Sequence, residues 1–329
     1  MKKIVVFFTL SLVVFLFGCG DTNASTSDEE VTLRLGHIAT ETNPYHLLAL
    51  EFKDLVEERT DGKVKIEIFP NAQLGEEREL IEAMTFGNLD MAVITTPPVS
   101  NFVTEFGVLD IPYLFEDWDH VDKFLDSDIA NDLLNETEKI GITTYAFIPR
   151  GFRSVTNSIR PVYSPEDMKG LTIRVIESAA YLDTINEMGA TATGMNWGDT
   201  FTAMQQGAID GQENDYTINY TQNVFEVQKY LSLTEHIIAI NTLMGSDINI
   251  NKLSDEIQEI IRESAIDAAE KIRVHNYAEL ENLEALLIEK GMEINEVDKE
   301  SFMNSVQNTQ NKYSEKFGEQ YFQRIKDLN

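Results

Sequence analysis

Strand and helix patterns alternate through residues 31–94, and the same alternation begins again after Ser164, so the chain is set to build parallel α/β structure twice. VTLRLGH (31–37) alternates as a strand. Asn43 and Pro44 then supply an N-cap and a first-turn proline for a helix predicted to run to about Arg59. KVKIEIFP (63–70) alternates again, ELIEAMTFG (79–87) reads as a helix that stops at Gly87, and LDMAVI (89–94) as an apolar strand. In the second stretch Ser164 caps a short helix opened by Pro165, Gly170 ends it, and GLTIRV (170–175) reads as a strand. MTFGNLDMA (84–92) and MQQGAIDGQ (204–212) share the pattern Met-x-x-Gly-x-(Leu/Ile)-Asp at a helix-to-strand junction. We therefore expect two similar lobes. Their strand ends, Thr95-Thr96 and Glu213-Asn214, should face a common cleft, where open α/β sheets bind ligands.

A chain of 329 residues exceeds the size at which one core keeps growing, which agrees with two lobes. From Asp255 to about Lys290 there is neither Gly nor Pro, and Ile257, Ile261, Ala265, Ala268 and Ile272 recur at helical spacing. A continuous helix there would reach about 50 Å. It either braces both lobes or breaks once near His275; its alanine-rich seam is weak for a coiled coil.

Lys2 and Lys3 precede an apolar run from Ile4 to Phe17, which reads as a secretory signal. The run is shorter than the roughly 20 residues of a spanning helix. Leu16-Phe17-Gly18-Cys19 resembles a bacterial lipoprotein lipobox, in which the cysteine is acylated, although Phe17 is bulkier than the residue usual there. Residues 1–18 are accordingly expected to be a signal peptide, and 19–30 a lipidated N-terminus, at Cys19, with a polar, acidic tether. The protein is expected to be exported and held on the outer face of the cell membrane. A net charge of -30, more negative still once the two lysines are removed, argues against a nucleic-acid partner. With Cys19 the sole cysteine, neither a disulfide framework nor a thiolate metal site is expected.

No nucleophile elbow, Walker loop, HExxH, calcium loop or dinucleotide fingerprint occurs, so no catalytic residue, metal ligand or cofactor is assigned. Of the five scattered histidines only His37, just past the first strand and near Glu41 and His46, is placed where a cleft-lining loop would sit. Glu213 and Asp215 share a face two residues apart, but with no nucleophile or metal a ligand-orienting or structural role fits them better. Trp197 and Phe201 suit either stacking on a ligand or filling core space. Arg174, in the middle of an otherwise buried strand, needs an anionic partner, because an unpaired buried charge costs several kcal/mol. That partner is either a protein carboxylate or a ligand's.

FPNAQLGEERELIEAM (69–84), GFRSVTN (151–157), PEDMKGLTIRV (165–175) and AMQQGAIDGQEN (203–214) resemble, in order and spacing, segments of the dicarboxylate-binding periplasmic (DctP) family of TRAP transporter solute-binding proteins. The likeness extends over essentially the whole chain after the signal. It implies a two-lobed periplasmic binding protein of type II-like fold, with two α/β domains, hinge strands and a long bracing helix. Lobe I would comprise 31–150 plus about 239–278, and lobe II 151–238 plus about 279–329. It also implies a non-enzymatic role: capture of a small organic acid, such as a C4-dicarboxylate, between the lobes, and delivery to the membrane subunits of a TRAP permease; a ligand-sensing lipoprotein or an exported enzyme on a two-lobed fold is the alternative. The resemblance puts the ligand carboxylate on Arg174, a second cationic contact on Arg153 and a polar contact on Asn214; Glu213, His37, Thr95, Trp197 and Tyr216 complete the candidate contacts. Asp215 stands where the family often has proline, which bears on ligand specificity.

Overall fold

The computed structural model describes residues 30–329; the expected signal peptide, Cys19 and nearly all of the tether lie outside them. Its strands are β1 (Val31–Gly36), β2 (Val64–Phe69), β3 (Met91–Thr95), β4 (Ile142–Asn157), β5 (Thr172–Val175), β6 (Thr191–Gly194), β7 (Gly211–Asn214), β8 (Tyr230–Ser246) and β9 (Glu293–Asn295). They lie in the order β2-β1-β3-β8-β4-β7-β5-β6, with β9 beside β8. Two parallel units, β2-β1-β3 and β6-β5-β7, thus flank a central antiparallel pair.

The repeated sequence signature builds the same junction in each unit. Gly87 and Gly207 adopt left-handed backbone, with φ of +72° and +69°, a region that favours glycine. The next residue closes each helix, Asn88 N–H donating to Ala83 O at 2.8 Å and Ala208 N–H to Ala203 O at 2.9 Å. The aspartate of the signature then ties the junction to the neighbouring strand: Asp90 Oδ2 accepts from Arg34 N–H, and Asp210 Oδ2 from Thr172 N–H, both at 2.8 Å.

The central strands serve both lobes. At about 3.3 Å per residue each spans some 50 Å. β8 pairs with β3 through 241–245 and with β9 through 230–232, while β4 pairs with β7 through 154–157. The β4–β8 register shifts three times, and the shift between Pro149 and Gly151 falls midway along the pair. First-lobe cores gather around Leu35, Phe52 and Val93 and around Phe106, Phe124 and Ile240; the main second-lobe core holds Val155, Ile173, Tyr181 and Phe302.

Asp255–Glu289 is one unbroken helix, so there is no break at His275. Its first half buries Ile261, Ala265, Ala268 and Ile272 in a first-lobe core, and Leu287 packs with Leu231 and Met292 in the second lobe. Where it crosses the central strands, Asn276 Nδ2 donates to Pro149 O at 2.9 Å. The stretch 279–329 divides its contacts. Phe302 and Val306 pack in the second lobe, whereas Tyr313, Phe317, Tyr321 and Ile325 join Phe106 and Phe124 in the first. Among the described residues no helix is long and apolar enough to cross a membrane.

Candidate functional site

Between the lobes lies a cleft whose walls include Thr95 from the end of β3, Asn214 from the end of β7, Trp197, and three arginines: Arg150 and Arg153 from β4 and Arg174 from β5. The strand ends of the two units meet there, as the order of elements requires.

Arg174 is 3% exposed, and among the described residues no carboxylate lies within ion-pair distance of it. Its Nε and Nη2 both donate to Met195 O, at 2.8 and 2.6 Å, and its guanidinium lies 5.5 Å from the Trp197 ring centroid. Among the described residues Nη1 finds no hydrogen-bond partner. Burial lowers its pKa to about 10, a shift that the more distant Glu213, Glu77 and Glu76 only partly oppose. The carbonyl fixes one edge of the guanidinium and leaves Nη1 unsatisfied in the cleft wall.

Arg153 is held differently. Its Nε donates to Glu213 Oε2 at 2.6 Å, and Nη2 to Glu213 Oε1 at 2.9 Å and to Glu213 O at 2.6 Å. Burial alone would raise the Glu213 carboxyl, but Arg153 and a hydrogen bond from His236 hold it at about 2. The protein ion pair considered for Arg174 is thus found on Arg153. Glu213 stands behind the cleft wall as its counter-ion.

Arg150 is a cleft residue that sequence reasoning missed. In strict alternation, positions 150 and 153 point to opposite faces of a strand. Pro149 pairs with Ile240 and Gly151 with Ala239, so Arg150 is the extra residue of a bulge, and both arginines reach the cleft. The signal was present as Pro149 and Gly151 inside a strand pattern, residues that mark bulges. Arg150 Nη2 lies 3.1 Å from Asp215 Oδ2, its guanidinium is 5.2 Å from the Tyr45 ring centroid, and among the described residues its Nε and Nη1 have no hydrogen-bond partner.

The remaining expected residues separate into two groups. Thr95, Trp197 and Asn214 line the cleft with the arginines. Thr95 N–H donates to Glu77 Oε1 at 2.8 Å, and Glu77, which also accepts from Tyr45 Oη, is pushed up to about 7 by burial. His37 and Tyr216 are not among the lining residues. His37 is buried with its Nε2 3.1 Å from His46 Nδ1, because its backbone pairs with Phe69 and Ala72 and leaves Ile38 and Ala39 to face the cleft. Tyr216 begins the helix that Asp215 caps, and its hydroxyl donates to Glu284 on the bracing helix at 3.1 Å. Among the described residues no His, Cys, Asp and Glu cluster could hold a metal ion.

The lobes touch around this cleft. Asn101 Nδ2 donates to Glu177 O at 2.8 Å, Ser178 Oγ to Asp110 Oδ2 at 2.8 Å, and Asn43 Nδ2 to Thr221 Oγ1 at 2.7 Å. Glu76 of the first lobe faces Gly198 of the second across the cleft, so closely that a Cβ on Gly198 would lie 2.5 Å from Glu76 Oε1.

Comparison with known proteins agrees with this architecture. The family described as bacterial extracellular solute-binding protein, family 7 (DctP) matches residues 35–317. A TRAP periplasmic solute-binding protein from Polaromonas sp. JS666, solved bound to D-erythronate, has a TM-score of 0.88 at 34% identity, covering 90% of this chain and 98% of that one. Solute-binding protein RD1_1052 of Roseobacter denitrificans is 34% identical over 83% of this chain and 84% of its own, and its structure with bound L-galactonate gives a TM-score of 0.84. The 2,3-diketo-L-gulonate-binding periplasmic protein YiaO of Escherichia coli is 31% identical, over 91% of this chain and 92% of its own. The fold and cleft define a two-lobed binding protein. The chain belongs to the DctP family of extracellular solute-binding proteins, which capture solutes for TRAP transporters.

Proposed function

We propose that the captured solute is a small hydroxylated organic acid whose carboxylate sits on Arg174. The observation that carries this reading is the Arg174 guanidinium: buried, without a carboxylate partner among the described residues, and with Nη1 unsatisfied in the cleft wall. A carboxylate would restore the missing charge and hydrogen bond, and the planar arginine fork suits it better than a lysine would. Asn101, Asn196 and Asn214 supply amides on the same walls, and Glu76 and Glu77 supply acceptors, a set suited to ligand hydroxyls. The D-erythronate and L-galactonate bound by similar proteins support the same class.

The protein works by binding and not by turnover, so ligand is recovered unchanged. Closure of the lobes, held by cross-cleft contacts such as Asn101 to Glu177, presents the loaded form to the membrane subunits of the permease. Export and acylation at Cys19 keep it at the outer face of the membrane; replacing Cys19 by alanine is expected to move it from the membrane to the soluble fraction. A thermal-shift panel of aldonic, uronic and C4-dicarboxylic acids tests the ligand class, since a ligand at 100 times its Kd stabilises by about 2.7 kcal/mol. No shift across the panel overturns the proposal.

A further inference from the structure

We propose that Asp215 and Arg150 form a charge filter that restricts the cleft to ligands with a single carboxylate and makes Arg150 a contact for the hydroxylated end of the solute. The inference rests on the reading of Arg174 as the carboxylate site. Two acids at the end of β7, Glu213 and Asp215, lie two residues apart, and they meet two arginines three residues apart on β4. The bulge at Arg150 reconciles the spacings. Arg153 and Arg150 are therefore each paired with a protein carboxylate behind the wall, and among the described residues Arg174 is not.

The Arg150–Asp215 pair is built into the hinge. Asp215 is fully buried, and its Oδ1 accepts from Ile218 N–H at 3.1 Å as the N-cap of the helix Tyr216–Thr221. Gly151 makes room for it: a Cβ there would lie 3.1 Å from the Asp215 Cβ. Arg150, 2% exposed, lines the cleft and keeps Nε and Nη1 unpartnered among the described residues, Nη1 on the side of the guanidinium away from Nε. With its charge already matched, Arg150 offers hydrogen bonds to vicinal hydroxyls, while a second ligand carboxylate would compete with Asp215 for the same cation.

Asp215→Asn tests the filter, because asparagine is as good an N-cap and keeps an oxygen for Ile218 N–H while removing the charge. Calorimetry on the wild type and this variant would compare D-gluconate with D-glucarate, and D-erythronate with meso-tartrate, pairs that differ in oxidation of the terminal carbon. The wild type is expected to bind the monocarboxylate at least tenfold more tightly, and Asp215→Asn to shift that ratio at least tenfold toward the dicarboxylate. The double variant Arg150→Gln/Asp215→Asn removes both charges together and is expected to keep the wild-type ratio; it also serves if the single variant does not fold. A shift below tenfold in Asp215→Asn, a tenfold shift in the double variant, or a wild-type preference for the dicarboxylate overturns the filter and leaves the role of Arg174 standing. Binding of neither acid in either pair by the wild type overturns both.

Discussion

Glu213 takes both arms of the Arg153 guanidinium, with Nε at 2.6 Å and Nη2 at 2.9 Å, and both residues are almost fully buried. Removing one partner strands the other's charge in the interior. Glu213→Gln is therefore expected to cost about 3–5 kcal/mol of folding stability, measured by urea denaturation, whereas Arg153→Met/Glu213→Leu recovers most of that loss. A single substitution costing under about 1 kcal/mol would show that the pair is not the anchor of this wall.

The same carboxylates make opposite contributions with pH. Glu213 is held at about 2, below the ordinary glutamate value, so its contribution is present above pH 4.5 and is lost as pH falls through about 2. Glu77 is raised to about 7, so between about pH 4.5 and 7 the folded state keeps a proton that the unfolded chain has lost. Stability owed to Glu77 falls as pH rises through that window. Glu77→Gln should gain on the wild type by on the order of 3 kcal/mol from pH 4.5 to 7. Denaturation of both proteins at four or five pH values checks this, and a difference that does not change with pH contradicts it.

Gly211, the glycine that precedes Gln-Glu-Asn in the second-lobe motif, is required by packing. A Cβ there would lie 1.9 Å from Thr156 O and 2.9 Å from Asn157 Cα, both backbone atoms of β4. Gly211→Ala must separate β4 from β7 and is expected to cost at least 3 kcal/mol. A melting temperature within about 2 °C of the wild type would refute the packing argument.

Gly198 presents a milder case. A Cβ there would lie 2.5 Å from Glu76 Oε1, the far end of a flexible side chain on the opposite lobe, and would displace that carboxylate from the cleft wall. Gly198→Ala should leave ligand-free stability within about 0.5 kcal/mol of wild type. It should raise the Kd by about three- to tenfold, about the worth of one hydrogen bond, because the displaced Glu76 lines the closed cleft. Faster ligand dissociation in stopped flow is the expected signature; unchanged dissociation would assign the contact no part in closure.

Much of this arrangement is legible in the sequence where local rules agree with the fold. The shared Met-x-x-Gly-x-(Leu/Ile)-Asp predicted two similar units, and Gly87 with Asp90 repeats the geometry of Gly207 with Asp210. The helix from Pro44 to Arg59 with its Asn43 cap, and the helical stretch from Asp255, follow from caps, periodicity and the lack of breakers, whereas the continuity of the latter past His275 was left open by the sequence. What was not legible depends on register and tertiary pairing. Strict alternation hid Arg150, because a bulge resets the faces of β4. His37 sat at the right strand end, but the turn after it aims Ile38 and Ala39 at the cleft. The return of Tyr313 and Phe317 to the first lobe is a long-range contact that no local pattern encodes. The partner of each arginine was likewise invisible from spacing alone: Glu213 belongs to Arg153, whereas Arg174, among the described residues, donates to the Met195 carbonyl and meets no carboxylate.

That last difference is the centre of the account, and calorimetric titration of Arg174→Ala with the acid that most stabilises the wild type tests it most directly. Loss of the guanidinium leaves the ligand carboxylate unpaired in a desolvated cleft, so affinity is expected to fall by about two to four decades, equivalent to roughly 3–5 kcal/mol, with the variant still folded. A Kd within tenfold of the wild-type value would contradict the assignment of Arg174 as the carboxylate site.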